Sequence, residues 1–367
     1  MKIVLVYLGR KGAGPEYAFE MAKALSSKAN VLCVISSYIS NRNNWLSLAN
    51  ENSSVEIKEL KTYNSMAGFI VRSFDFWAYA NVICAINNFA PDMIYSPMGH
   101  FWEKFIVPFC KCKYTIKTIH DVVLHKGEDS YIHKFLNSLF SYKTYKYVIL
   151  SDIFKVDLEK KGIDEKNIIV IPHAVFKGYA SVEQQRDYTQ YNRFLFFGRI
   201  IKYKGIEVLL SSMQIVLKKC PNARLVIAGS GDVTPYKDLM NKYRDNLELH
   251  LGWIADSRIA DFFKDIDFVV LPYTHASQSG VIPLSYAFGK PVIATKIGGI
   301  PEQVEDGDTG ILVSPNDKVE LGNVISRLLS NPETLVKMKS NCYDYALHNT
   351  WDTSAQKLID AYLESSL

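Results

Sequence analysis

The sequence predicts two successive α/β domains, each built on a doubly wound parallel sheet. Short runs dense in valine and isoleucine alternate with amphipathic segments, and these runs lack the polar alternation of half-exposed strands. One polar stretch without either period, residues 176–192, interrupts the alternation and is the predicted linker. The length of 367 residues also suits two domains better than one.

The first predicted domain covers residues 1–175. It opens with a strand, a glycine-containing turn and a segment of helical spacing, which is the usual start of a doubly wound sheet. Its six predicted strands are Lys2–Leu8, Asn30–Ser36, Asp92–Pro97, Tyr114–Asp121, Tyr147–Ser151 and Ile168–Val175.

The second predicted domain covers residues 193–349. Helices are expected from Lys204 to Lys219 and from Asn331-Pro332 onward, and Trp351–Leu363 has the pattern of a terminal helix. The predicted strands are Arg193–Ile200, Ala223–Gly231, Leu247–Trp253, Phe268–Tyr273, Pro291–Thr295 and Gly310–Ser314.

Composition excludes several classes of protein. Hydrophobic residues make up 48% and charged residues 22%, which is ordinary globular usage and argues against a disordered chain. The apolar runs are too short to span a membrane, and no secretory signal is expected. Six cysteines without a framework are typical of reduced thiols, so a cytoplasmic location is predicted.

The net charge of +4 is unevenly distributed. Lys and Arg exceed Asp and Glu by 22 to 16 up to residue 180, whereas the remainder has 20 basic and 22 acidic residues. This surplus is too weak for a nucleic-acid interface. It suits an approach to anionic lipid, with a solvated face as the default interpretation. The stretch Phe101–Lys117, which mixes aromatics with lysines, is either a buried helix with solvated lysines or a membrane-facing edge.

Ligands of such sheets bind at the carboxyl ends of the strands, so two domains of this kind are expected to face a cleft. The first strand–helix turn contains Gly9, Gly12 and Gly14 in the order G-x-x-G-x-G rather than the dinucleotide order. No acidic residue follows at the end of the second strand, which disfavours a nicotinamide or flavin enzyme. The glycines either admit a ligand to the backbone or simply form the turn.

Two later segments combine strand ends with polar residues. Arg199 and Lys204 follow the strand of FFGRIIKYKG, where two cations suit a diphosphate, although basic residues are also common in solvated loops. The segment Ser277-Gln278-Ser279-Gly280-Val281 precedes a helix whose first amides can hold an anion or merely need a cap. Glu302, after a Gly-Gly turn, could bond a sugar hydroxyl or be a first-turn acid.

These segments resemble a known family. FGRIIKYKG, LVIAGSGD, LHLGWI, ASQSGVIPLSYAFGKPVIAT and GGIPEQVEDGDTGILV, in that order, are similar to family 4 of the retaining glycosyltransferases, the glycosyl transferases group 1, of GT-B fold. The resemblance is strong from Arg193 to about Leu329. In the first half it extends only to the Gly12/Gly14 loop and TIHD, Thr118–Asp121.

The resemblance implies a nucleoside diphosphate sugar as donor, a hydroxyl acceptor and retention of configuration. It implies that Arg199 and Lys204 contact the diphosphate, that the Ser279, Gly280 and Val281 amides contact the phosphate, and that His120 lies near the reacting sugar. Trp253 and Ile254 would lie near the base. It also implies a last helix, residues 350–367, that packs back on the first domain.

One departure from the family concerns two glutamates eight positions apart, one near the donor sugar and one on the ribose. Aligning AFGKPV without gaps puts Ala276 and Leu284 at these places. Neither side chain accepts a hydrogen bond from a hydroxyl. Ser277 and Gln278 are neutral groups that could contact the sugar instead, and Leu284 is expected to pack among apolar neighbours.

A metal is not expected. Asp265-Ile-Asp267 has the D-x-D spacing of metal-dependent transferases, but it precedes a buried strand, where turn capping explains it. Cys110 and Cys112 lack a second pair. The histidines at 100, 125 and 133 lack metal spacing, so we interpret them as ordinary surface or core residues.

The predicted function is sugar transfer from a nucleoside diphosphate sugar to a glycan or lipid-linked glycan acceptor in surface polysaccharide synthesis. Peripheral attachment to the inner face of a membrane is a further expectation. No cofactor and no nucleic-acid partner are expected. A nucleotide-sugar epimerase of the same fold and a nucleotide-binding subunit without turnover remain alternatives, while the missing ribose acid argues against an oxidoreductase.

Overall fold

The computed structural model describes residues 1–120, 122, 146–176 and 192–366. Its contacts divide the chain into two compact units. The first unit comprises Met1–Pro172 and Trp351–Leu367, and the second comprises His173–Thr350. Asp121, His125, His133 and residues 177–191 of the predicted linker lie outside the described residues.

The first unit contains a parallel sheet of seven strands within the described residues, in the order β3-β2-β1-β4-β5-β6-β7. Strand β1 lies between β2 and β4, so the order reverses there. The strands are β1 (Lys2–Tyr7), β2 (Asn30–Ser36), β3 (Val55–Leu60), β4 (Met93–Ser96), β5 (Tyr114–Ile119), β6 (Lys146–Ile149) and β7 (Ile168–Val170).

The helices that connect these strands along the chain pack on the sheet. Residues of β1 from Ile3 to Tyr7 are buried, as expected for a strand covered on both faces. The described helices of the first unit are α1 (Gly14–Ser26), α2 (Arg42–Glu51), α3 (Met66–Ser73), α4 (Phe76–Phe89), α5 (Lys155–Glu159) and, at the end of the chain, α13 (Trp351–Ser366).

The second unit contains six parallel strands in the described residues, in the order β10-β9-β8-β11-β12-β13. Its order reverses at β8, which pairs with β9 on one side and β11 on the other. The strands are β8 (Arg193–Phe197), β9 (Arg224–Gly229), β10 (Leu247–Leu251), β11 (Phe268–Leu271), β12 (Val292–Thr295) and β13 (Gly310–Val313).

The helices of the second unit cover both faces of its sheet. They bury aliphatic and aromatic side chains, such as Phe194 and Phe268, whose rings stack at 5.5 Å. The described helices are α6 (Ile206–Lys219), α7 (Lys237–Lys242), α8 (Ile259–Lys264), α9 (Val281–Ala287), α10 (Ile300–Gln303), α11 (Lys318–Leu329) and α12 (Pro332–His348).

Most predicted strands end a few residues later than the observed ones, and two boundaries near residue 172 have a clear physical reason. The predicted first domain ends at 175, but His173–Phe176 belongs to the second unit. The Val175 N–H donates to the Asn349 carbonyl at 2.9 Å, and Val175 packs with Ala287 and Ala346 of that unit. Strand β7 is also shorter than expected, because it ends two residues before Pro172, which has no N–H for a ladder hydrogen bond.

Helix α13 belongs to the first unit although it follows the second in the chain. It packs against α1, and the ring of Trp351 meets the ring of Tyr17 edge-on at 4.9 Å. Trp351 is only 6% exposed, so this contact fixes the start of the helix.

Trp351→Ala is predicted to lower the free energy of unfolding by about 3–5 kcal/mol, because it leaves a large cavity between α13 and α1. Denaturant unfolding measures the change. Leu363→Ala on the same helix is the control, since Leu363 is 48% exposed. Its effect should stay within about 0.5 kcal/mol. Equal effects of the two variants would contradict the packing described here.

Candidate functional site

The candidate site lies where the strands β8 and β11 of the second unit end. Because these strands are parallel neighbours, their following loops meet at one edge of the sheet. The Thr274 N–H donates to the Tyr203 carbonyl at 2.8 Å and joins the two loops. Gly205 allows this approach: it has a φ of 70°, and a Cβ there would collide with the Pro272 carbonyl oxygen.

Lys204 and Arg199, the two cations predicted for a diphosphate, lie in the loop after β8. The Lys204 ammonium lies 3.7 Å from the centroid of the Tyr273 ring. Within the described residues, no carboxylate lies in ion-pair range of Lys204. Arg199 is exposed, and its Nη2 donates to the Tyr203 hydroxyl at 3.2 Å. The structure therefore brings both cations to one loop, held by aromatic residues.

Tyr273 connects this loop to the segment that precedes α9. Its buried hydroxyl shares a hydrogen bond of 3.2 Å with the Ser279 hydroxyl. Its carbonyl accepts a hydrogen bond of 2.7 Å from the Thr295 hydroxyl at the end of β12. Lys204 thus contacts the ring of Tyr273, and Ser279 contacts the hydroxyl of the same side chain.

Gln303 holds the backbone of Ser279 from both sides. Its Oε1 accepts the Ser279 N–H at 2.8 Å, and its Nε2 donates to the Ser279 carbonyl at 3.1 Å. Both residues are buried. The expectation that the Ser279 amide faces a phosphate is therefore not met, because that amide already has a partner within the protein.

The remaining residues of this segment have different surroundings. The Val281 N–H donates to the Ser279 hydroxyl at 3.3 Å, whereas Gly280 is exposed at the N-cap of α9. The Ser277 carbonyl accepts the Gly299 N–H at 2.9 Å, and this serine is buried. Gln278 carries a buried Oε1 that has no hydrogen-bond partner among the described residues. An unpaired buried acceptor of this kind requires an explanation, and a bound donor group would supply one.

His173 is a residue of this site that the sequence analysis missed. It is 7% exposed, and a Cβ built on Gly280 would lie 3.7 Å from its Nε2. Its Nδ1–H donates to the Ala174 carbonyl at 2.9 Å, which orients the ring. The only signal in the sequence is a histidine after Ile171-Pro172, near the end of a predicted strand.

Tyr286 attaches α9 to the chain that follows β12. Its hydroxyl donates to the Gln303 carbonyl at 3.2 Å and shares a hydrogen bond of 2.8 Å with Thr309. Burial raises the pKa of Tyr286 well above its ordinary value, so the phenol stays protonated at neutral pH. The last turn of α9 is thus held to Gln303 and Thr309 by neutral hydrogen bonds.

Three further candidates follow other strands of the same sheet. Trp253 is 71% exposed and follows β10 after Gly252, with Ile254 half-buried beside it in sequence. Glu302 is exposed in the first turn of α10, after β12. All three lie in segments after the carboxyl ends of strands; for Trp253 this differs from the prediction, which placed it at the end of the strand Leu247–Trp253.

The candidates of the first unit have structural partners. His120, at the end of β5, donates its Nε2–H to the Pro97 carbonyl at 2.8 Å, and its ring meets Tyr17 at 4.7 Å. Gly12 has a φ of 88° and open space around its Cα. Gly14 instead makes room for Tyr7, whose hydroxyl would collide with a Cβ there. Tight packing therefore already accounts for Gly14, one of the predicted donor-binding residues.

The two positions of the missing glutamates differ in burial. Leu284 is 6% exposed on α9, which confirms the expectation that it packs in the core. Ala276 is half-buried in the turn before α9, and a Cβ on Gly298 would collide with the Ala276 carbonyl oxygen.

The residues considered for a metal have other partners. Asp267 Oδ2 accepts the N–H groups of Asn192 and Arg193 at 2.8 and 2.7 Å, so it holds the start of β8 rather than capping its own turn as expected. His100 caps the 3₁₀ helix Phe101–Phe105, and burial together with the charge of Arg10 lowers its pKa to about 4. In the part of the chain that the structure describes, no group of three or more His, Cys, Asp or Glu residues could hold a metal ion.

Comparison with known proteins shows what the chain is similar to. Residues 191–331 match the family model described as Glycosyl transferases group 1. A glycosyltransferase from Rickettsia africae has the same fold over 99% of this chain and 98% of its own, with a TM-score of 0.70 at 18% identity. The Anabaena protein HepE in complex with UDP-glucose matches over 100% of both chains, with a TM-score of 0.72 and 18% identity. The predicted fold class, two doubly wound domains of GT-B type, is confirmed.

A curated relative is the D-inositol 3-phosphate glycosyltransferase of Corynebacterium efficiens. It is 27% identical over 180 residues, which cover 47% of this chain and 42% of that protein. The matched part therefore spans less than half the length of this relative. The domain, rather than the whole protein, is what the two share.

Leu284→Glu is predicted to lower the free energy of unfolding by about 1–3 kcal/mol at neutral pH, because it buries a carboxylate among apolar groups. Burial would raise the pKa of this carboxyl in the folded state. The loss should therefore shrink as the pH falls toward the unfolded value of about 4.3, where both states are protonated. Unfolding at several pH values tests this.

Ala276→Glu is the matched control, because its side chain can reach solvent from the turn. We expect almost unchanged stability at every pH. If Leu284→Glu kept the parental stability and bound nucleotide more tightly, position 284 would face the ribose, and the packing role assigned here would be wrong.

Proposed function

We propose that this chain transfers a sugar from a nucleoside diphosphate sugar to a hydroxyl acceptor with retention of configuration. One observation carries the proposal: Lys204 and Ser279, from two separate loops, contact the same buried tyrosine, Tyr273, at the reversal point of the second sheet. Ligands of doubly wound sheets bind at this point. The match of residues 191–331 to group 1 glycosyltransferases supports the same reading.

The diphosphate leaving group gains negative charge as the bond to the sugar breaks, and fixed positive charges stabilise it. Lys204 supplies a point charge held over the face of the Tyr273 ring, and Arg199 supplies a fork of N–H donors beside Tyr203. Fixed cations of this kind stabilise the negative charge that grows on the phosphate as the glycosidic bond breaks. In this proposal the two side chains act without a metal.

Three further groups surround the start of α9. Gly280 is exposed there, so a phosphate can approach its backbone without a side chain in the way. His173 Nε2 lies beside Gly280. With Nδ1–H on the Ala174 carbonyl, it donates to the same phosphate only as an imidazolium, and in that form it is our second candidate. The unpaired Oε1 of Gln278 is the candidate acceptor for a donor hydroxyl, in place of the carboxylate missing at 276.

The acceptor must lose a proton during transfer. We propose that a departing phosphate oxygen takes it, so the reaction needs no dedicated protein base. His120 of the first unit is our candidate for orienting the donor sugar; its tautomer is set by the hydrogen bond from Nε2–H to Pro97. Trp253 and Ile254 are the candidates for contact with the base, and Glu302 for contact with the sugar.

The donor class follows from the comparisons only by analogy. HepE was crystallised with UDP and with UDP-glucose, so a uracil nucleotide is the first donor to test. For the acceptor we propose a hydroxyl of a glycan or lipid-linked glycan, used at the cytoplasmic face of a membrane.

A nucleotide-binding subunit without turnover is the second candidate. The specific observation in its favour is that Ala276 and Leu284 replace the two acids that family members carry. Binding of a nucleotide sugar without transfer or hydrolysis would favour this alternative. Release of an epimerised nucleotide sugar would instead indicate the epimerase.

A thermal-shift panel of nucleoside diphosphates and their sugars tests donor binding. A ligand at one hundred times its Kd stabilises the folded protein by about 2.7 kcal/mol, so a true donor should shift the unfolding midpoint clearly. The result expected is a shift with a uracil nucleotide and little shift with the others. No shift with any nucleotide would contradict the proposed site.

Lys204→Ala and Arg199→Ala are each predicted to lower kcat/KM with the identified donor by roughly two orders of magnitude, because each removes charge stabilisation from the leaving group. Lys202→Ala is the control: Lys202 is an exposed lysine of the same loop, two residues from Lys204. It should keep nearly parental turnover. Parental rates in the two test variants would rule out the diphosphate assignment.

A further inference from the structure

Helices α3 and α4 of the first unit expose a continuous set of large apolar side chains. Helix α3 buries none of its residues completely, and the turn to α4 and the first residues of α4 are also exposed. We call these residues the apolar surface: Met66, Ile70, Val71, Phe74, Phe76 and Trp77, each between 58% and 88% exposed. Apolar residues scattered singly over a surface need no explanation, but a contiguous set indicates an interaction site.

The opposite face of these helices is firmly attached to the protein. Phe69 of α3 stacks on the buried ring of Trp102 at 5.6 Å. The Tyr79 hydroxyl of α4 donates to the Arg72 carbonyl at 2.8 Å, and Val82, Ile86 and Phe89 are buried. The apolar surface is thus the outer side of a helix pair whose inner side packs on the first unit.

A basic group, Lys58, borders the apolar surface. The Lys58 ammonium donates to Asn81 at 2.9 Å, and Asn81 lies one helical turn after Trp77. A second lysine, Lys104, lies by the attached face of α3: its ammonium is 5.8 Å from the Phe101 ring, which contacts Phe69.

The acidic group nearest to the apolar surface in sequence is already paired. Within the segment from Met66 to Trp77, the one carboxylate is Asp75, and it forms an ion pair with Arg72 at 2.6 Å. The surface and its rim therefore offer apolar contact and positive charge, which complements a negatively charged partner.

We propose that the apolar surface docks on an anionic lipid bilayer. Exposed tryptophan and phenylalanine beside lysine is the combination that settles at the boundary between lipid headgroups and acyl chains. Among the described helices, none is long and apolar enough by itself to cross a membrane; α3 and α4 pass that test only together, with a bend of 67° between them. A bent pair attached to the sheet on one side fits a surface-bound position.

This location differs from the one suggested by the sequence alone. Within Phe101–Lys117, Trp102 is fully buried, and Phe101 and Phe105 are half-buried against α3 and α4. Phe109 is the aromatic residue of that stretch that is largely exposed. The proposal goes beyond sugar transfer and does not rest on it, since it concerns a surface formed by the first unit alone.

Co-sedimentation of the full chain with vesicles tests the proposal. Phosphatidylcholine vesicles with phosphatidylglycerol should bind the protein, and pure phosphatidylcholine vesicles should bind it much less. Added salt should weaken the binding. Phe74→Ser combined with Trp77→Ser should lower the partition coefficient at least tenfold, whereas Phe109→Ser, the matched control on the same unit, should leave it unchanged.

Tryptophan fluorescence locates the contact directly. Trp45, Trp102 and Trp351 are buried, so Trp77 and Trp253 are the exposed tryptophans of the five. In a Trp253→Phe background, brominated lipid should quench the Trp77 emission. A further Trp77→Phe exchange should remove this quenching while the vesicles still bind the protein.

Three outcomes would overturn the proposal: equal binding to neutral and anionic vesicles, parental binding by the double serine variant, or no quenching of Trp77. Absence of vesicle binding, with a concentration-dependent dimer that the double variant loses, would assign the surface to a second copy of the chain. The nucleotide panel is independent of these results, so failure of the docking surface is distinguishable from failure of the proposed function.

Discussion

Tyr273 is the residue on whose contacts the candidate donor site depends. Its ring holds Lys204, its hydroxyl holds Ser279 and its carbonyl accepts from Thr295, so the ends of three neighbouring strands converge on one residue. Gly205 makes the convergence possible, because any side chain there would collide with the Pro272 carbonyl. A cation held by a ring face keeps its charge available, because no carboxylate of the described residues pairs with it.

The sequence predicts the features that depend on a local pattern, and it misses those that depend on contacts between segments far apart in the chain. Apolar runs predict most strands of both sheets, and Arg199 and Lys204 stand out because they follow a strand. The edge strand β3, with the sequence VEIKEL, escapes prediction because its charged residues break the apolar run. The contact of Lys204 with Tyr273 escapes it too, because it depends on the spatial pairing of β8 with β11 rather than on a local pattern.

Gln303 shows why a motif can predict a site and still misassign an atom. The sequence correctly marks Ser279 as a residue before a helix, where free amides are expected. The glutamine that consumes its amide comes from another helix, α10, and reaches Ser279 only in the folded sheet. The same limit applies to His173, whose proximity to Gly280 arises because the chain crosses from β7 into the second unit.

The substitutions at Ala276 and Leu284 change the energetics expected at this site. A carboxylate accepting from a hydroxyl contributes about 1.5–3 kcal/mol, whereas a neutral acceptor such as the Gln278 amide contributes about 1 kcal/mol. Leu284 makes no hydrogen bond to a sugar hydroxyl, because its side chain has no polar atom and is buried in the core. In the proposed function, a larger share of the donor affinity therefore falls to the diphosphate, through Arg199, Lys204 and the backbone near Gly280. Since every nucleoside diphosphate sugar carries that group, discrimination between sugars falls, in this proposal, to the contacts of Gln278 and Glu302.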